Sequence, residues 1–90
     1  MAVHESDVYA LVLGRTIAQL RVGRGYSQGA FADHIAVGQS SLSRFELGQA
    51  QPEPYLVEKI ALQLGLSPSA FAHCVSTAFE RTAAAVRAAV

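Results

Sequence analysis

Residues 39–47 read QSSLSRFEL, and they mix two kinds of chemistry. On a helical wheel turning about 100° per residue, Leu42, Phe45 and Glu46 gather on one side. Ser40, Ser43 and Arg44 take the other side, with Gln39 at the tip. The outward set is short, hydrogen-bonding and cationic. A glutamine amide matches the donor–acceptor edge of adenine, an arginine sets two parallel donors against guanine, and serine hydroxyls suit bases or phosphates. That face has the chemistry of a helix laid in a DNA major groove, and small serines permit close approach. Taken alone, it equally suits an ordinary solvated helix face. Glu46, on the apolar side, calls for a partner, because a carboxylate removed from water without one is costly.

Elsewhere the reactive groups are scattered. Ser41, Ser43 and His34 offer hydroxyls and an imidazole, but no orienting acid or oxyanion turn accompanies them, so no catalysis is expected. His4, His34 and His73 match no zinc spacing, and the lone Cys74 allows neither an internal disulfide nor a cysteine metal cluster. Cys74 reads as a small apolar filler on a helix. The sharper alternative, an intersubunit disulfide or redox sensor, lacks a basic neighbour to activate the thiol. No cofactor and no metal are expected.

The 90 residues are 51% hydrophobic and 16% charged, which is folded rather than disordered composition and enough for one domain, 1–90, with a core from about 8 to 75. No apolar run reaches the roughly 20 residues that span a bilayer, and "MAVHESD" lacks the basic opening of a signal peptide. A cytoplasmic, nucleoid-associated protein is expected, with no membrane partner. The formal net charge of zero counts against nucleic-acid binding. Its distribution counts the other way: from Leu13 to Arg44, Arg15, Arg21, Arg24 and Arg44 face a single acid, Asp33.

The elements that must position these groups are all helices, since apolar residues recur at steps of three and four. The first is expected from Asp7 to Arg24, with Leu13, Ile17 and Leu20 inside and Gly25 ending it. Ser27 reads as the N-cap of a second, Gln28 to about Ala36, lacking the acidic half of a capping box. A third follows from Gln39 to Leu47, and a fourth opens at Pro54 with Leu56, Ile60 and Leu64 inside. Ser67-Pro68 opens a last helix reaching toward Val90. Its stripe of Phe71, Val75, Phe79, Ala83, Val86 and Val90 looks too long for a small domain to cover. The apolar start of the first helix, Val8, Leu11 and Val12, is a second patch, and the two together suggest a homodimer interface. In a twofold dimer the two third helices would lie about one DNA turn, ~34 Å, apart. Phe71 and Val75 are more simply domain core.

The segment SQGAFADHIAVGQSSLSRFELG joins two short helices through a three-residue turn, with apolar anchors at Phe31, Ile35, Val37, Leu42 and Phe45. Here the chain resembles the lambda-repressor and Cro-like (XRE-type) helix-turn-helix regulators. The resemblance runs from about Leu13 to Phe71. It rests on Ser27-Gln28, Phe31-Ala32, LSRFE at 42–46, Gly48, Pro52 and IALQLGLS at 60–67. It implies an all-α, five-helix fold with an extended C-terminal helix. It implies that an arginine of the first helix, Arg21, pairs with Glu46. It implies that Gln28 bonds a phosphate and braces Gln39, that Gln39, Ser40 and Arg44 read bases, and that Ser41 and Ser43 touch phosphate or base. The amides of Tyr55 and Leu56, at a helix N-terminus, would hold another phosphate.

Two departures stand out. Many members of that family carry glycine where Ala36 stands, and serine or threonine where Gly38 stands. The loop QAQPEP has no cation, and its Glu53 would repel phosphate. The expected function is a sequence-specific double-stranded DNA-binding regulator, a homodimeric repressor on a pseudo-palindromic operator. The alternative is an antitoxin or protein-interaction adaptor that keeps the fold, which the neutral charge favours.

Overall fold

A computed structural model describes residues 4–89. Five helices follow one another: α1 (Glu5–Gly23), α2 (Gln28–His34), α3 (Gln39–Glu46), α4 (Pro54–Gln63) and α5 (Pro68–Ala89). No strand occurs among the described residues, and the fold is all-α. The expected Val90 end of the last helix lies outside the described residues.

Local chemistry starts and stops these helices. The Ser27 hydroxyl accepts the Ala30 N–H at 3.1 Å, and Ser67 does the same for Ala70 at 3.1 Å, so α2 and α5 each begin on a serine cap. The ends of α1 to α4 share one device. After α1, Tyr26 N–H donates to the Arg21 carbonyl and Gly25 N–H to Val22. Gln49 and Gly48 close α3 on Arg44 and Phe45, and Leu66 and Gly65 close α4 on Ala61 and Leu62. Each is the paired closure that needs one left-handed residue, and Gly25, Gly48 and Gly65 supply it at φ 81°, 74° and 77°.

At the end of α2 the same pair forms, Val37 N–H to Ala32 and Ala36 N–H to Asp33, but the left-handed residue is Ala36, at φ 57°. The helix therefore ends at His34 and not at Ala36 as expected. Ala36 holds a conformation in which its Cβ crowds the following carbonyl. The nearby Gly38 is not used that way: it is an extended N-cap for α3, at φ −68° and ψ 147°, with no side chain to cap the helix.

The core is made by α1 to α5 together: Leu13, Ile17, Phe31, Ile35, Leu42, Leu56, Ile60, Leu64, Phe71 and Val75 are buried in one cluster. Each fully buried side chain of this size contributes about 1.5–3 kcal/mol. Gln63 Nε2 donates to the Tyr26 hydroxyl at 2.9 Å, tying α4 to the α1–α2 turn.

One expectation is corrected. The long stripe of α5 is not left unmatched, because α1 runs beside α5 in its most extensive helix–helix packing. Val8 and Val12, expected on a dimer surface, are 8% and 5% exposed within the single chain, and Ala83 is 4% exposed. Tyr9 meets Phe79 edge-on at 5.5 Å between ring centres. Phe79 and Val86 are half-buried, and Leu11 is 43% exposed. The physical reason is pairing: α1 and α5 lie side by side within the chain, so the start of α1 is packed against the described part of the stripe. An exposed Glu5–Arg87 ion pair at 3.1 Å joins the far ends and contributes little.

Candidate nucleic-acid interface

The α3 helix presents two faces. Leu42 is fully buried and Phe45 is packed against the core. Gln39, Ser40, Ser41 and Arg44 are exposed, and Ser43 is half-buried. Leu47, just past the helix, is 59% exposed beside this face. Tyr55, at the start of α4, is 67% exposed.

Glu46 is held from inside. Its carboxylate accepts Arg21 Nε at 2.7 Å and Arg21 Nη2 at 3.1 Å, a two-pronged pair whose side chains are 12% and 7% exposed for arginine and glutamate. Arg21 also donates from Nη1 to the Tyr26 carbonyl at 2.7 Å, so the guanidinium joins α1, the α1–α2 turn and α3. Planar bidentate geometry of this kind fixes orientation as well as energy. Gln28 Nε2 donates to Glu46 at 3.0 Å, and Gln28 Oε1 accepts from Gln39 Nε2 at 3.4 Å. Arg21, Glu46, Gln28 and Gln39 thus form one connected chain from the interior to the tip of α3. No buried side-chain polar atom lacks a partner among the described residues.

Gly14 decides how closely α3 approaches α1. A Cβ there would lie 2.0 Å from the Phe45 carbonyl oxygen and 2.9 Å from that of Glu46. Only glycine lets the C-terminal turn of α3 rest on the α1 backbone. Gly48 makes a second close approach, where a Cβ would come 2.8 Å from Leu11 Cα. The helix that carries Arg44 is therefore seated backbone to backbone.

A family model described as a helix-turn-helix domain matches residues 12–74. The chain belongs to that family. Its relatives include an uncharacterised HTH-type transcriptional regulator, YonR, of SPbeta prophage origin in Bacillus subtilis (strain 168), 29% identical over 56 residues. That alignment covers 62% of this chain and 52% of the relative, so the chain spans about half the length of the curated protein it matches. Among solved structures, the clp gene regulator ClgR of Corynebacterium glutamicum superposes with a TM-score of 0.81 at 21% identity, covering 90% of this chain and 86% of that one. It shares the fold. With the motifs above, these findings put the domain among the XRE-like helix-turn-helix proteins.

In this helix-turn-helix domain, α2 and α3 pack on one another and α3 on α1. Arg21, Gln28, Gln39 and Glu46 are drawn into one hydrogen-bonded group, whereas Ser40, Ser41 and Arg44 stand free of side-chain hydrogen bonds among the described residues. Of the two amides expected to face a phosphate, that of Leu56 donates to the Glu53 carbonyl at 2.9 Å, a carbonyl that also accepts Val57 N–H at 3.0 Å. Arg24 is drawn away to the α4–α5 turn, with Nη2 2.9 Å from where a Cβ of Gly65 would sit. Sequence reasoning missed Gly14 and the Gln28–Glu46 bond. A glycine inside a helix interior costs about 1 kcal/mol against alanine, and that cost was the available signal for Gly14. Gln28 carried no comparable mark. Among the described residues no group of three or more His, Cys, Asp or Glu could hold a metal ion, and no helix is long and apolar enough to cross a membrane.

Proposed function

We propose that this domain is a sequence-specific, double-stranded DNA-binding transcriptional regulator that lays α3 in the major groove. The observation that carries the reading is the division of α3. Gln39, Ser40, Ser41 and Arg44 are presented outward, while Glu46 is tied inward to Arg21 at 2.7 Å. A helix whose back is clamped and whose front is short, polar and cationic meets the needs of base-edge reading. Gln39 would read adenine and Arg44 guanine, with Ser40 on a base, Ser41 and Ser43 on base or phosphate, and Gln28 and Tyr55 beside the backbone. The relative YonR is named an HTH-type transcriptional regulator, which is consistent with this role.

The proposed active form is a homodimer on a pseudo-palindromic operator, acting as a repressor in the cytoplasm, on the nucleoid. Occupying an operator is enough to repress and calls for no further surface. With Val8 and Val12 covered within the chain, the dimer surface would fall on the open groove between α1 and α5, lined by Leu11, Arg15, Gln19, Ala78, Thr82 and Ala85. The protein-adaptor reading draws on the zero net charge and on Glu53 in the cation-free loop.

A retardation assay with the DNA upstream of the protein's own gene, at low and moderate salt with competitor DNA, tests the reading. A specific shift that survives moderate salt is expected. Its salt dependence should be shallow, because few cations are present to displace counterions. Absence of any shift at low salt, where phosphate attraction is strongest, would remove the DNA reading.

A further inference from the structure

The hydrogen bonds around Glu46 have a direction, and that direction ends at Gln39. A carboxylate can only accept. Glu46 takes two bonds from Arg21 and one from Gln28 Nε2 at 3.0 Å. The Gln28 amide is therefore oriented by its neighbour: its NH2 must face the carboxylate, since its carbonyl there would set oxygen against oxygen. Gln28 Oε1 is turned to the other side, where it too can only accept. Gln39 answers by donating from Nε2 at 3.4 Å, a long and individually weak bond on the exposed face. Gln39 Oε1 lies over Gly29, where a Cβ would come within 3.4 Å of it. One N–H and one oxygen of Gln39 remain free, in a fixed order.

The geometry points to Glu46 as a positioning residue for base recognition: through Gln28 it sets which way round the Gln39 amide is presented to the DNA. This rests on the DNA-binding reading above. Adenine offers a donor and an acceptor side by side in the major groove, so an amide reversed end for end loses the match. The Arg21–Glu46 pair, on this view, does more than seat α3. It supplies the acceptor from which the polarity of the whole chain of bonds follows.

The test is selection from a random double-stranded DNA library by the full 90-residue chain, followed by sequencing, with melting curves of every variant. Gln39→Ala identifies the operator position that Gln39 reads. Glu46→Gln replaces an obligate acceptor with an amide that can face Gln28 either way. It should loosen preference at that same position by about fivefold or more, the lower end of what one bidentate base contact discriminates, and leave other positions as they were. Gln28→Met breaks the relay but leaves the Arg21–Glu46 pair in place, and should loosen the same position; it carries the test if Glu46→Gln does not fold. The double variant Glu46→Gln/Gln28→Glu restores an obligate acceptor beside Gln39, with the new amide at position 46 donating to it, and should recover the preference. A purely structural pair would not show that recovery. Even loosening at all positions, or unchanged preference in folded Gln28→Met, overturns the inference while leaving the DNA reading intact. Wild-type protein that enriches no motif overturns both.

Discussion

Replacing Ala36 with glycine should make the domain more stable, although it removes a methyl group and adds no contact. Ala36 is the one left-handed residue with a Cβ among the described residues, in a helix closure that the other three helix ends build on glycine. The left-handed conformation costs an L-residue about 1–2 kcal/mol. Glycine loses more freedom on folding, which returns about 0.4–1 kcal/mol to the unfolded chain. Ala36 is exposed, so no packing is lost. The difference is a gain of about 0.5–1 kcal/mol, or about 2–8 °C in Tm for a domain of this size. Gly25 provides the opposite test: at φ 81°, with nothing within 4 Å of an added Cβ, Gly25→Ala should lose a similar amount through conformation alone. Urea unfolding followed by far-ultraviolet circular dichroism reads both, as midpoints that move in opposite directions with an unchanged slope. The reasoning fails if Ala36→Gly lowers the midpoint, or if Gly25→Ala leaves it where it was.

Arg21→Ala and Glu46→Ala should each destabilise by about 3 kcal/mol, the lower end for a buried pair because both side chains keep some solvent access. A double-mutant cycle in urea that finds no coupling would remove the pair as a stabilising unit. Gly14→Ala should cost about 1–3 kcal/mol or more, because a Cβ 2.0 Å from the Phe45 carbonyl must push α3 away from α1. It should also abolish the DNA shift at temperatures where the variant is still folded, and a stable variant with full binding would show that α3 has room to spare. Arg44→Ala should weaken operator binding by about 1–3 kcal/mol and relax preference at one position per half-site. Equal weakening across an operator library would make Arg44 a backbone contact instead.

Features set by near neighbours along the chain were legible in the sequence. A serine cap and a helix-ending glycine act within about one turn, so Ser27, Ser67, Gly25, Gly48 and Gly65 mark their helices whatever packs on them. The inward and outward faces of α3 follow from the period of the helix alone, and the family motifs lie in the same stretch of chain. What needed three dimensions was every relation between turns distant in sequence. That α1 would cover the α5 stripe, and so bury Val8 and Val12, depends on two helices lying side by side from opposite ends of the chain. The crowding at Gly14 exists only because the end of α3 crosses at that residue. The family resemblance implied that Gln28 bonds a phosphate and braces Gln39, and only its 3.0 Å approach to Glu46, eighteen residues on, tied that brace to the interior. Periodicity states which side of a helix is apolar, but not which neighbour will lie against it, because that choice is made by the summed packing of all five helices.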